Sequence, residues 1–176
     1  MLIGRKGKGG SMYFPYYAYV CPYCQQQRML EEVQSSKKQE GVFQDQGKKP
    51  FIINLEDATK HNNTYRTALW TGEHLQLTLM SIRPGEDIGL EVHPHIDQFI
   101  RIEEGQGLAE IGKSPSELSL RQYVGDGTAL FIPAGTWHNV TNIGARPMKL
   151  YVIYAPPNHP FGTVERMKPD EKRKER

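Results

Sequence analysis

Residues 127–142 read GTALFIPAGTWHNVTN, running from Gly127 through Pro133, Ala134 and Gly135 to His138 and Asn142. The apolar run before Pro133 suits a short strand. Pro133 presets φ for a turn, and Gly135 can take the positive φ that redirects the chain. An extended pattern resumes at His138. The segment therefore reads as strand, turn, strand, with a histidine delivered at the start of the second strand.

A second informative stretch lies upstream, at residues 85–105: GEDIGLEVHPHIDQFIRIEEG. A strand is expected over Gly89–His93. Side chains alternate along a strand, so Glu91, His93 and His95 are expected to share one face. Gln98 opens the next strand. A carboxylate and imidazoles meeting inside a small barrel are a metal-ligand set by residue type. His95 has three readings here: a ligand in place of Gln98, a catalytic acid or base, or a residue of the barrel mouth.

Working outward, strand candidates follow at short intervals: Phe51–Leu55, Tyr65–Thr71, Leu75–Ile82, Gln98–Glu104, Gly107–Ile111, Leu118–Val124, Thr128–Ile132, His138–Asn142 and Met148–Ala155. Glycine- and proline-bearing turns separate them. Many short strands at regular spacing indicate an all-β sandwich or small barrel. No stretch inside this core shows a convincing helical period. Residues 51–157 are expected to be the barrel, residues 1–50 a flexible leader with one short helix over Gln25–Glu40, and residues 158–176 a charged tail.

These two segments resemble the cupin superfamily. Its second motif is Gly, five residues, Pro-x-Gly, two residues, His, three residues, Asn; Gly127, Pro133, Gly135, His138 and Asn142 match every fixed position. Its first motif has Gly85, Glu91, His93, Gln98 and Gly105 at the right spacing, but Glu91 stands where the family has a histidine and Gln98 where it has a glutamate. The ligand set changes from three histidines and a carboxylate to two histidines, a carboxylate and an amide, so its formal charge is kept.

The resemblance implies a double-stranded β-helix, or jelly roll. It implies one divalent metal held by Glu91, His93, Gln98 and His138, with Mn, Fe, Ni and Zn undistinguished. It also implies a small-molecule ligand. The family includes oxygenases, decarboxylases and sugar-phosphate isomerases, and chains of this kind are often called mannose-6-phosphate-isomerase-like. Only Arg101 and Lys149 are obvious cations nearby, and alternation puts Arg101 on the face away from Gln98. The alternative is a non-catalytic module that senses a small molecule or builds an assembly. A homodimer is expected through an outward face bearing Phe99 and Arg101, with Tyr13, Tyr16, Tyr17 and Tyr19 adding to it.

Composition bounds the partners. The chain has 176 residues and a formal net charge of +2. Much of the basic excess lies near the two ends, so no basic face for nucleic acid is expected. No apolar run reaches the roughly 18 residues a membrane span needs. No signal peptide is read, and a cytoplasmic protein is expected. Cys21-Pro22-Tyr23-Cys24 resembles a glutaredoxin tetrapeptide, but the leader lacks the residues for a thioredoxin-type frame, and a pair of exposed thiols is expected.

Overall fold

The computed structural model describes residues 42–169. The Tyr13–Tyr19 segment, the Cys21/Cys24 pair, the helix expected over Gln25–Glu40 and the last seven residues of the charged tail lie outside the described residues. Among the described residues, nine strands follow one short helix: α1 (Leu55–His61), β1 (Arg66–Thr71), β2 (Gln76–Ile82), β3 (Asp97–Glu104), β4 (Gln106–Gly112), β5 (Leu120–Gly125), β6 (Ala129–Ile132), β7 (Trp137–Asn142), β8 (Met148–Ala155) and β9 (Val164–Glu165). They form a six-stranded sheet, β6-β3-β8-β2-β1-β9, and a three-stranded sheet, β5-β4-β7. All pairings are antiparallel. This is the all-β double-stranded β-helix that the sequence predicts.

Period-two alternation builds the core between the sheets. Ile100 and Ile102 of β3, Met80 and Ile82 of β2, and Leu150 and Val152 of β8 are fully buried there. The small sheet contributes Ala109, Val124 and Val140. Each such aliphatic side chain contributes roughly 1.5–3 kcal/mol on burial. Gly105, at φ 107°, joins β3 to β4, and a Cβ there would lie 2.9 Å from the Met148 Cα. Only glycine fits that turn.

Two expectations are corrected. Phe51–Leu55 is not a strand: the chain enters α1 at Leu55 instead. Asn54 caps the helix by accepting a hydrogen bond from the Asp57 amide at 3.2 Å, and Glu56 and Asp57 occupy its positive end. Seven residues are too few to show a helical period, so the cap was the legible signal. α1 packs Ala58 against Leu69 and Leu79 on the outer face of the large sheet.

Gly89–His93 is not a regular strand either. Only isolated bridges, Asp87 to Thr141 and Glu91 to His138, tie the segment to β7. Gly89 sits at φ 91°, which breaks the pleat, and Pro94 donates no amide to extend the ladder.

The chain on either side of residues 51–157 is also packed on the barrel. The Gln46 amide donates to Leu69 O at 2.9 Å, and Trp70 Nε1 donates to Lys49 O at 2.9 Å. β9 pairs with β1, and Lys168 makes an ion pair with Asp87. The Gln76 side chain, fully buried, holds the turn after β8. It accepts from the amides of Asn158 and His159 at 3.2 and 2.8 Å and donates to His159 O at 2.8 Å.

Candidate metal centre

Three elements deliver the site. Glu91 and His138 exchange backbone hydrogen bonds, each amide donating to the other's carbonyl at 3.0 Å. A mutually bonded antiparallel pair directs its side chains to the same face. The turn at Pro133-Ala134-Gly135 behaves as its residues require. Gly135 takes φ 77°, and its amide donates to His93 O at 2.8 Å. The turn glycine thus holds the strand bearing His138 against the segment bearing His93. Gln98 is the second residue of β3 and lies between Ile132 and Tyr154 in the sheet.

The side chains meet at one carboxylate oxygen. Glu91 Oε1 is 3.2 Å from His93 Nε2, 3.5 Å from His138 Nε2 and 3.4 Å from Gln98 Nε2. The ligand atoms of Glu91, His93 and His138 all lie within 4.8 Å of one another. His93 also meets the Tyr154 ring edge-on, with centroids 5.8 Å apart.

Protons decide what this cluster can hold. His138 Nδ1 lies 2.9 Å from Thr136 O, which can only accept. The neutral ring therefore carries its proton on Nδ1 and aims the Nε2 lone pair at Glu91. The buried atoms His138 Nε2, His93 Nε2 and Gln98 Oε1 have no hydrogen-bond partner. Leaving such groups unpaired costs about 1–3 kcal/mol each. A half-turn of the Gln98 amide presents Oε1 in place of Nε2. Burial opposes ionisation of Glu91, but the hydrogen bonds that His138 and His93 give it when their rings carry a proton on Nε2, with the charges of His93 and Arg66, outweigh it. Its carboxyl is held well below the usual carboxylate range. Lone pairs and a carboxylate converging on one buried point fit a cation.

The other residues noted in the sequence fall elsewhere. His95 lies on the exposed turn after Pro94, outside the cluster, because the strand expected to carry it inward does not form. Arg101 pairs with Glu103 at 2.9 Å, and Lys149 turns to α1, donating to Asn62 O and, at 3.1 Å, to Asn63 Oδ1. Neither cation faces the cluster. Among the described residues, the cation buried on the inner face of the large sheet is Arg66 of β1, 6% exposed and bound to Glu165 Oε2 at 2.9 Å. It escaped the sequence reading, although alternation through Arg66 and Ala68 was a signal for it.

Residues 78–154 match the cupin domain. The chain is 60% identical over 129 residues to the Bacillus subtilis protein YrkC, covering 73% of this chain and 69% of that one. It is 40% identical over 120 residues to a protein of Acanthamoeba polyphaga mimivirus, covering 68% of this chain and 73% of that one. The chain belongs to the cupin family. The crystal structure of BH2720 from Bacillus halodurans is similar at 60% identity and a TM-score of 0.70, covering 71% of this chain and 95% of that one. The structure of TT1209 from Thermus thermophilus is similar at 26% identity and a TM-score of 0.51, covering 60% and 96%.

Proposed function

We propose that this chain is a metal-dependent cupin that holds one divalent ion on Glu91, His93 and His138, with Gln98 as a fourth, weaker ligand, and acts on or binds a small molecule beside it. The observation that carries this reading is the lone pair on His138 Nε2, aimed at the Glu91 carboxylate and left without a hydrogen bond. Two histidines and one carboxylate are the ligand types of open iron sites, and they also accept Mn, Ni or Zn. When bound, such an ion supplies Lewis-acid chemistry toward oxygen-bearing ligands, or electron transfer if it is redox-active. Thr136 O fixes the imidazole of His138, and Gly135 fixes the position of His93.

An oxygenase or an isomerase is compatible with this donor set. The sugar-phosphate reading gains nothing from Arg101 and Lys149, which both point away from it. Metal analysis of protein purified without chelators is the test. About one divalent ion per chain is expected. No uptake by the wild type, even after reconstitution with Mn, Fe, Ni and Zn, would overturn the reading.

A further inference from the structure

The inner face of the large sheet carries a second group of polar side chains beside the metal cluster. Arg66 lies opposite Met80 in the register, and Thr78 is two residues along β2 from Met80, so Arg66 and Thr78 are diagonal neighbours on one face. Thr78 lies opposite Val152, and Tyr154 is two residues along β8 from it, again on that face. Tyr154 in turn touches the ring of His93. A row of Arg66, Thr78 and Tyr154 therefore leads from β1, next to the edge strand, to a proposed metal ligand.

Two of these groups are buried with a polar atom that makes no well-formed hydrogen bond. Arg66 uses Nη1 on Glu165 and sets Nη2 3.9 Å from Met80 Sδ, while its Nε is buried and makes no hydrogen bond. Thr78 is fully buried, and its hydroxyl lies by that of Tyr154 without a well-formed hydrogen bond between them. Proteins rarely bury donors in this way, because each such group forfeits its hydration. Tyr154 is buried, and its hydroxyl is a donor at neutral pH like that of any tyrosine.

We propose that Arg66 Nε, Thr78 Oγ1 and the Tyr154 hydroxyl form an oxyanion subsite that takes a carboxylate group of the small-molecule ligand. This deepens the reading of the metal centre by naming a ligand class, and it rests on that reading for the placement of the rest of the molecule. Three donors match the lone pairs of one carboxylate. A phosphate dianion would call for more positive charge than Arg66 supplies while it is paired with Glu165. With a divalent ion in place, the carboxylates of Glu91 and Glu165 leave one unit of positive charge in this region. One carboxylate neutralises it.

The test titrates acetate, propionate and butyrate, with acetamide, propionamide and inorganic phosphate as controls. The titrations use the full chain, both metal-loaded and chelator-treated, and calorimetry as the readout. The proteins are wild type, Arg66→Met, Thr78→Val and Tyr154→Phe, with metal content measured in parallel. At least one carboxylate is expected to bind saturably, more tightly than its amide and than phosphate. Arg66→Met is expected to weaken it by about tenfold or more and Thr78→Val by several-fold, with metal content unchanged. Thr78→Val removes a buried hydroxyl without a well-formed hydrogen bond, so its melting temperature is expected to equal or exceed that of the wild type. A purely structural role for Thr78 would lower it. Thr78→Val decides the matter if Arg66→Met does not fold. Equal binding by all variants, amides that bind as well as acids, a preference for phosphate, or no saturable carboxylate binding would each overturn the subsite. If the wild type takes up no metal yet binds carboxylate in an Arg66- and Thr78-dependent way, the metal reading fails and the subsite stands.

Discussion

His138 Nδ1 lies 2.9 Å from the carbonyl oxygen of Thr136, two residues earlier in the same chain. That contact assigns the ring's proton and leaves Nε2 as a lone pair inside the barrel. The site's chemistry depends on it. A second proton on the ring would give the Glu91 carboxylate a partner, and a metal ion would take that proton's place.

Glu91 is expected to matter more to metal affinity than Gln98. It carries the one formal negative charge among the four proposed ligands, whereas an amide oxygen offers only a dipole. Loss of an outer partner of a metal ligand costs roughly 10–100-fold in affinity. Glu91→Gln is expected to exceed that, and Gln98→Ala to fall at or below it. Titration calorimetry with a divalent ion, with folding checked by circular dichroism, ranks the two. The reverse order would place the anionic contribution elsewhere.

Acid should reveal the state of Glu91 in the chelator-treated protein. Its folded-state pKa lies below the ordinary 4.5, so the unfolded chain binds more protons across that window. The stability contributed by Glu91 is therefore present above about 4.5 and is lost as the pH falls through the lowered value. Urea unfolding of wild type and Glu91→Gln is compared at about pH 6 and at steps down toward pH 3. Any advantage of the wild type should shrink on acidification. A constant or growing advantage would contradict the assigned direction.

Removal of residues 158–176 is expected to destabilise the barrel by at least about 3 kcal/mol. The cut strips the fully buried Gln76 of its partners at Asn158 and His159 and leaves Arg66 without Glu165. Breaking a buried pair from one side leaves an uncompensated charge, which costs more than the pair contributes. Chemical denaturation of the truncated chain measures this, and a truncated chain as stable as the full one would refute it.

Phe131 is 76% exposed and meets Phe99 at a centroid distance of 5.0 Å on the outer face of the large sheet. An exposed aromatic ring backed by a half-buried one on a sheet face suits contact with a second copy. The protein is expected to be a homodimer in solution, and Phe131→Asp to shift it toward a monomer without loss of fold. Light scattering on both proteins checks this. A wild type that is monomeric at micromolar concentration would remove the expectation.

The chain alone determined what local covalent geometry controls. Pro133 and Gly135 set a turn wherever they occur, and alternation sent Gln98, Ile100 and Ile102 inward and Phe99 outward. The barrel was legible for that reason, and Glu91, His93, Gln98 and His138 were legible from the spacing of the two motifs. α1 was missed because seven residues show a cap and no period. His95 was placed inward because period-two logic assumes an unbroken strand, and Gly89 and Pro94 break it. Long-range packing decided the rest. β9 reaches back to β1 across about a hundred residues of sequence and buries Arg66 against Glu165, whose separation in the chain is 99. Alternation assigns a residue to one of two faces, but it does not say what covers that face. The covering element made Arg66 an interior cation, and the fold brought Thr78 and Tyr154 beside it.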